Sequence, residues 1–184
     1  MKRIVSLSIT FCFFCALINF SSCKKNDSPP PYHITCYIKD TLTAFNAELI
    51  GTEGGDALSG FEVLGFATID TNGPNTPSIN VQLGNIGGKK LTVGTYYDTS
   101  TVSSLYSEFH PVVNYSGDYY SGNQVRADAN SQNIQIANGL KIVLISFSKT
   151  EVQGTFSGDY YPQTNLAGKP IHITNGSFFV KIQQ

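Results

Sequence analysis

Phe178-Phe179-Val180-Lys181-Ile182, near the end of a 184-residue chain, sets Phe178, Val180 and Ile182 on one side of a two-residue period and Phe179 and Lys181 on the other. A strand sends successive side chains to opposite faces, so this spacing reads as a strand with one apolar face. The same alternation recurs upstream. Val152, Gly154 and Phe156 flank Gln153 and Thr155, and Ile134 and Ile136 flank Gln135. Ile79, Val81 and Leu83 alternate with Asn80 and Gln82. Phe45, Ala47 and Leu49 alternate with Asn46, Glu48 and Ile50, and Ile34, Cys36 and Ile38 with Thr35, Tyr37 and Lys39. Apolar inward and polar outward is the signature of half-buried antiparallel strands. Phe61 to Ile69 and Leu140 to Phe147 are apolar on both faces, which places them in mid-sheet or under another element.

Between these runs lie Gly54-Gly55, Asn72-Gly73-Pro74, Gly87-Gly88, Ser116-Gly117-Asp118, Asn138-Gly139 and Asn175-Gly176. The Asn-Gly pairs before Leu140 and before Ser177 predict type I′ hairpins, whose central residues both need positive φ. Helical periodicity is absent beyond the N-terminal segment; a short helix is expected only within Ser100 to Phe109. The expected fold is all-β: an antiparallel β-sandwich or open β-barrel of about ten strands, forming a single domain over 32–184. Around twenty inward apolar side chains at ~1.5–3 kcal/mol each supply the gross driving force for one core.

Composition narrows the function classes. With 41% hydrophobic and 14% charged residues the chain is too apolar for disorder and too sparsely charged for a coiled coil. Twelve basic residues against thirteen acidic leave no electrostatic footprint for nucleic acid.

The N-terminus reads as an address. Lys2 and Arg3 precede an uncharged, largely apolar stretch from Ile4 to Phe20, short for a bilayer crossing, which takes about 20 apolar residues. Phe20-Ser21-Ser22-Cys23 follows, and this segment resembles a bacterial lipoprotein signal with its lipobox; Phe20 stands where Leu is usual. The resemblance implies cleavage after Ser22, a lipidated Cys23 at the new N-terminus, and attachment to the outer membrane through that lipid. An uncleaved membrane helix or an ordinary secretory leader is the alternative. Residues 1–22 hold Lys2, Arg3, Cys12 and Cys15 and no acid, so their removal leaves ten basic residues against thirteen acidic. Cys36 is then the one remaining free thiol; it cannot form an internal bridge and reads as a small inward hydrophobe.

Lys24-Lys25-Asn26-Asp27-Ser28-Pro29-Pro30-Pro31 completes a tether over 23–31. In polyproline geometry its eight residues span about 25 Å at ~3.1 Å each. The basic-then-acidic residues after Cys23 resemble the surface-export signals of Bacteroidota lipoproteins, with Asp27 alone supplying acid, so the periplasmic and the cell-surface face both stay open. Val152-Gln153-Gly154-Thr155-Phe156-Ser157 and Ile173-Thr174-Asn175-Gly176-Ser177-Phe178-Phe179-Val180 resemble the end of a β-domain common in small Bacteroidota envelope lipoproteins. There a V-x-G-T-F strand precedes a closing I-T-N-G-x-F-x-V hairpin, echoed weakly at Leu91 to Tyr96. That resemblance implies a fold and a location and no activity.

Ser-Gly-Asp-Tyr-Tyr occurs twice, at 116–120 and 157–161, with an echo in Gly94-Thr95-Tyr96-Tyr97-Asp98. Tyrosine offers a flat face and a hydroxyl at low entropy cost, so Tyr97, Tyr119, Tyr120, Tyr160 and Tyr161 are candidate ligand-binding residues. The structural alternative, turn-then-strand punctuation, carries more weight, because a strand can present only one ring of each pair outward. Asp70-Thr71-Asn72-Gly73-Pro74-Asn75 reads as a turn, lacking the distant Glu of a calcium loop. His33, His110 and His172 have no zinc spacing, and His172, between Ile171 and Ile173, is expected outward. Neither G-x-S-x-G nor a phosphate loop occurs; Gly87-Gly88-Lys89-Lys90 lacks the spacing. Glu48, Glu53, Glu62, Glu108 and Glu151 lie mostly among strand residues.

The sequence therefore points to no catalytic residue, metal or cofactor. The expectation is a non-catalytic β-module on the bacterial envelope that binds a glycan or a protein. A structural component of an outer-membrane or surface complex comes second, and a hydrolase with an unrecognised carboxylate pair third.

Overall fold

The computed structural model describes residues 32–45, 48–56, 61–69, 77–85, 90–111 and 117–183. The expected leader, Cys23, the tether, and the turns at Asp70–Asn75 and Gly87-Gly88 lie outside these residues.

Among the described residues, eleven strands and one helix follow in order: β1 (His33–Ile38), β2 (Thr41–Ala44), β3 (Glu48–Asp56), β4 (Phe61–Ile69), β5 (Ser78–Asn85), β6 (Gly94–Tyr97), β7 (Ser103–His110), β8 (Tyr119–Gly122), α1 (Asn123–Ser131), β9 (Lys141–Phe147), β10 (Glu151–Pro162) and β11 (Ile171–Gln183). The fold is all-β, in the order β2-β1-β11-β3-β4-β5-β7-β8-β10-β9-β6, with β10 also paired to β11. That extra pairing closes a ring through β11, β3, β4, β5, β7, β8 and β10. Two short seams complete it: Ile182 and Gln183 lie parallel to Gly51 and Thr52, and Tyr161 and Pro162 lie antiparallel to Tyr120 and Tyr119. Every other pairing is antiparallel. The two-faced apolar runs sit inside the sheet, β4 between β3 and β5, and β9 between β10 and β6.

The alternation on the outer β-strands becomes one core. Ile34, Cys36, Val81, Leu83, Ile142, Val152, Ile173, Phe178 and Val180 are buried together. Phe66 stacks on Phe178 at 4.2 Å between ring centroids, and Phe109 meets Tyr160 edge-on at 6.4 Å. Fully burying one such side chain is worth roughly 1.5–3 kcal/mol.

Four local expectations are corrected. Ser100 to Phe109 holds no helix; it contains most of β7, whose inward positions are Ser103, Leu105, Ser107 and Phe109. Two serines at inward positions mask the apolar period. The helix lies instead at Asn123–Ser131, where only Val125 and Ala129 are buried, too few apolar residues to announce a helical stripe. Ile134-Gln135-Ile136 is irregular and half-buried at its isoleucines, not a strand. Neither Asn-Gly pair makes a hairpin. Asn175-Gly176 lies inside β11, where Asn175 adopts φ 48° and the register to β10 shifts. A bulge uses the same left-handed residue as a tight turn, so the dipeptide signals either. Gly176 is needed because a Cβ there would lie 2.5 Å from the Phe156 carbonyl oxygen. The two-residue hairpin is at Lys39-Asp40, with φ 49° and 63°, joining β1 to β2.

Candidate functional site

The two Ser-Gly-Asp-Tyr-Tyr repeats meet. Tyr120 is the register partner of Tyr161, and Tyr119 of Pro162, at the β8–β10 seam. Strand alternation then sorts the four rings. Tyr119 and Tyr160 enter the core, so as surface ligand-binding residues they are corrected. Tyr160 is fully buried and donates to Ser107 Oγ at 2.8 Å, while Ser107 donates to the Asn80 carbonyl at 2.8 Å. Burial pushes the Tyr160 phenol well above its ordinary range, opposed in part by the Ser107 bond. Tyr120 and Tyr161 take the opposite face. Tyr97 lies elsewhere, half exposed on β6 with Lys141 Nζ 5.9 Å from its ring centroid.

Over the seam runs an open groove of 540 Å³. Its floor is Tyr106, Tyr120, Ser121 and Tyr161. One wall is α1 and its end, with Gln124, Val125, Asp128, Ser131 and Gln132; the other is Gln163, Thr164, Asn165 and Leu166 from the β10–β11 connection. Both walls are fastened. Asn123, at the start of α1, accepts from Leu105 N at 2.7 Å and donates to the carbonyls of Ser100 at 3.0 Å and Ser103 at 3.3 Å. Gly122 turns the chain into the helix at φ 132°, where a Cβ would meet the Leu105 carbonyl oxygen at 2.1 Å. On the helix's other side Arg126 Nε lies 3.0 Å from Asp98, which is almost fully buried and accepts from Leu140 N at 2.9 Å. The opposite wall is pinned where Gln163 N donates to the Asp118 carbonyl at 3.1 Å, and by the turn from Asn165 N to the Pro162 carbonyl.

The tyrosine rings are held before any ligand arrives. Tyr106 and Tyr120 both donate to the Glu108 carboxylate, at 3.2 and 3.1 Å, with ring centroids 5.9 Å apart and planes tilted 45°. Burial first, then Glu108 through its charge and its hydrogen bonds, raise both phenols, Tyr120 to about 12. Beyond them Asp118 pairs with His110. Gln124 donates to Asp128 at 2.8 Å. Among the described residues no Lys, Arg or His lines the groove. Its chemistry is aromatic contact plus amide and hydroxyl hydrogen bonding, without a counter-charge for an anion.

A second depression of 400 Å³ lies around Tyr97, Asp98, Arg126, Asn138, Lys141 and His172. Its lining carboxylate, Asp98, is engaged as above, and the neighbouring Asp159 meets His172 Nδ1 at 2.5 Å and accepts from Asn138 N at 3.1 Å. Gly139 is enclosed here, a Cβ falling 2.0 Å from Arg126 Nη2, which explains its glycine without a turn. His172 faces outward, and Cys36 is buried, its thiol pushed up to about 12 by desolvation. Among the described residues no group of three or more His, Cys, Asp or Glu gathers, and no helix is long and apolar enough to cross a membrane.

Of the tyrosines singled out in the sequence, Tyr120 and Tyr161 line this groove, Tyr161 as a buried ring, and the rest of the lining carried no signal. Tyr106 stood unmarked in a segment read as helical, and the amides of α1 and of the β10–β11 connection form no motif. Neither a family model nor a curated protein nor a solved structure matches the chain.

Proposed function

We propose that this chain is a lipid-anchored module of a bacterial envelope that binds a glycan or a protein in the groove over the β8–β10 seam, without catalysis. The observation that carries the binding part is the groove itself: three tyrosines and a set of uncharged hydrogen-bonding side chains converge on one concavity of 540 Å³, within the roughly 300–1,000 Å³ of ligand pockets. The anchoring part rests on the lipobox-like Phe20-Ser21-Ser22-Cys23, and the tether on the prolines before the domain.

The test is a groove-blocking variant. Gln132 is exposed, so Gln132→Trp leaves the core untouched and fills the groove. Fractionated envelope and extracellular polysaccharide and protein from the source organism should bind the full chain and lose that binding in Gln132→Trp, while Tyr97→Ala has no effect. Binding that Gln132→Trp leaves intact would place the ligand elsewhere.

The assembly reading keeps one supporting observation. β2 and β6 end the strand order with unpaired edges, and Leu42 on β2 is exposed. Strand addition from a partner would use such an edge.

A further inference from the structure

Resting on the reading of the groove as a ligand site, we propose that its ligand is a neutral carbohydrate chain, seated against Tyr106 and Tyr120 and hydrogen-bonded by the amides on either wall. A sugar ring has a C–H face and a rim of hydroxyls that each donate and accept. The face suits an aromatic ring, and the rim suits Gln and Asn, whose amides also donate and accept. The groove supplies both. Two rings 5.9 Å apart have their hydroxyls tied to Glu108, which fixes the ring orientation before binding and spares that entropy. Gln132 and Gln163 stand on opposite walls.

Charge argues against an anionic ligand. A phosphate, sulfate or uronic acid would enter a site with no cation among its described lining residues, with Asp128 on its wall and Glu108 behind its rings. Glu108 already accepts from two phenols, which leaves Asp128 as the one charged group of the described lining. The groove is open, so a chain longer than one sugar can lie along it.

The experiment is affinity electrophoresis of the full chain in a polyoxyethylene detergent, which carries no sugar headgroup. Gels contain neutral polysaccharides (a β-glucan, an α-glucan, a mannan, a xylan) or acidic ones (polygalacturonate, heparin). Retardation by at least one neutral polysaccharide is expected, weakened at least tenfold by Tyr120→Ala, abolished by Gln132→Trp and unchanged by Tyr97→Ala. Tyr120→Phe, which keeps the ring, should stay within threefold of wild type. Retardation by none of the neutral polymers overturns the proposal, as does neutral binding indifferent to Tyr120→Ala. If only an acidic polymer or a protein binds, and Gln132→Trp abolishes it, the sugar class is wrong and the groove remains a ligand site. If nothing binds in a way that Gln132→Trp abolishes, both readings fall.

Discussion

Replacing Ser107 should cost more than replacing the larger Tyr160 hydroxyl that rests on it. Both residues are fully buried. Tyr160 donates to Ser107 Oγ at 2.8 Å, and Ser107 passes its own proton to the Asn80 carbonyl at 2.8 Å. Tyr160→Phe removes the donor with its proton and orphans no buried donor, so the loss is one net hydrogen bond, about 1 kcal/mol. Ser107→Ala removes the only hydroxyl Tyr160 faces and leaves a phenol O–H dry and unpaired; the desolvation penalty brings the cost to about 3 kcal/mol. The double variant has no orphaned phenol and should cost about 1.5 kcal/mol, less than Ser107→Ala alone, a coupling of about 2.5 kcal/mol. Urea unfolding of the full chain, followed by far-ultraviolet circular dichroism with the slope checked for constancy, gives each value. Additive effects, or a Ser107→Ala no worse than Tyr160→Phe, would refute the placement of Tyr160 inside the barrel.

Three further outcomes follow from particular contacts. Gly122→Ala adds a Cβ 2.1 Å from the Leu105 carbonyl oxygen at φ 132°, so it should destabilise by about 3 kcal/mol or more, read as a fall in melting temperature, while Gly117→Ala, at φ 95° but with open space around it, should cost only the backbone strain, about 1–2 kcal/mol. Asn175→Gly should be within about 0.5 kcal/mol of wild type and Asn175→Val should lose about 1–2 kcal/mol in the same assay, because φ 48° suits Gly and Asn and penalises a β-branched residue. Stability should decline above pH 9–10. The folded chain holds the Cys36 proton to about 12 and the Tyr160 proton higher still, whereas the unfolded chain releases them near 9.0 and 10.0. Fewer protons on the unfolded state mean stability falls as pH rises, by about 1.4 kcal/mol per pH unit for each such group. Unfolding midpoints from pH 8 to 12 check this, and Tyr160→Phe should flatten the slope.

The strands were legible because alternation is a local property. Ile34 to Ile38, Ile79 to Leu83 and Phe178 to Ile182 carry their inward faces in their own spacing. What was illegible depends on contacts far along the chain. Ser107 sits inward because distant Tyr160 donates to it, and no local pattern shows that; Ser103 is buried on the same face. Helix α1 is stabilised by Asn123 on β7 and Arg126 on Asp98 rather than by an apolar stripe. Asn175-Gly176 states a backbone angle and not whether the chain reverses. The paired tyrosines were visible as a repeat, and the rule of alternating faces put the two rings of each pair on opposite faces, although Tyr161 is buried there and only Tyr120 keeps part of its surface. Which ring, and that Tyr106 and the amide side chains would join it, depended on the pairing of 120 with 161 across the sheet.

The proposed envelope role of this groove rests on the lipid anchor. Intact-mass and N-terminal peptide mass spectrometry of the protein from its own cells addresses that directly. The account predicts a chain that starts at Cys23 and carries thioether-linked diacylglycerol. A chain that retains residues 1–22, or one that starts elsewhere or at an unmodified Cys23, would contradict it.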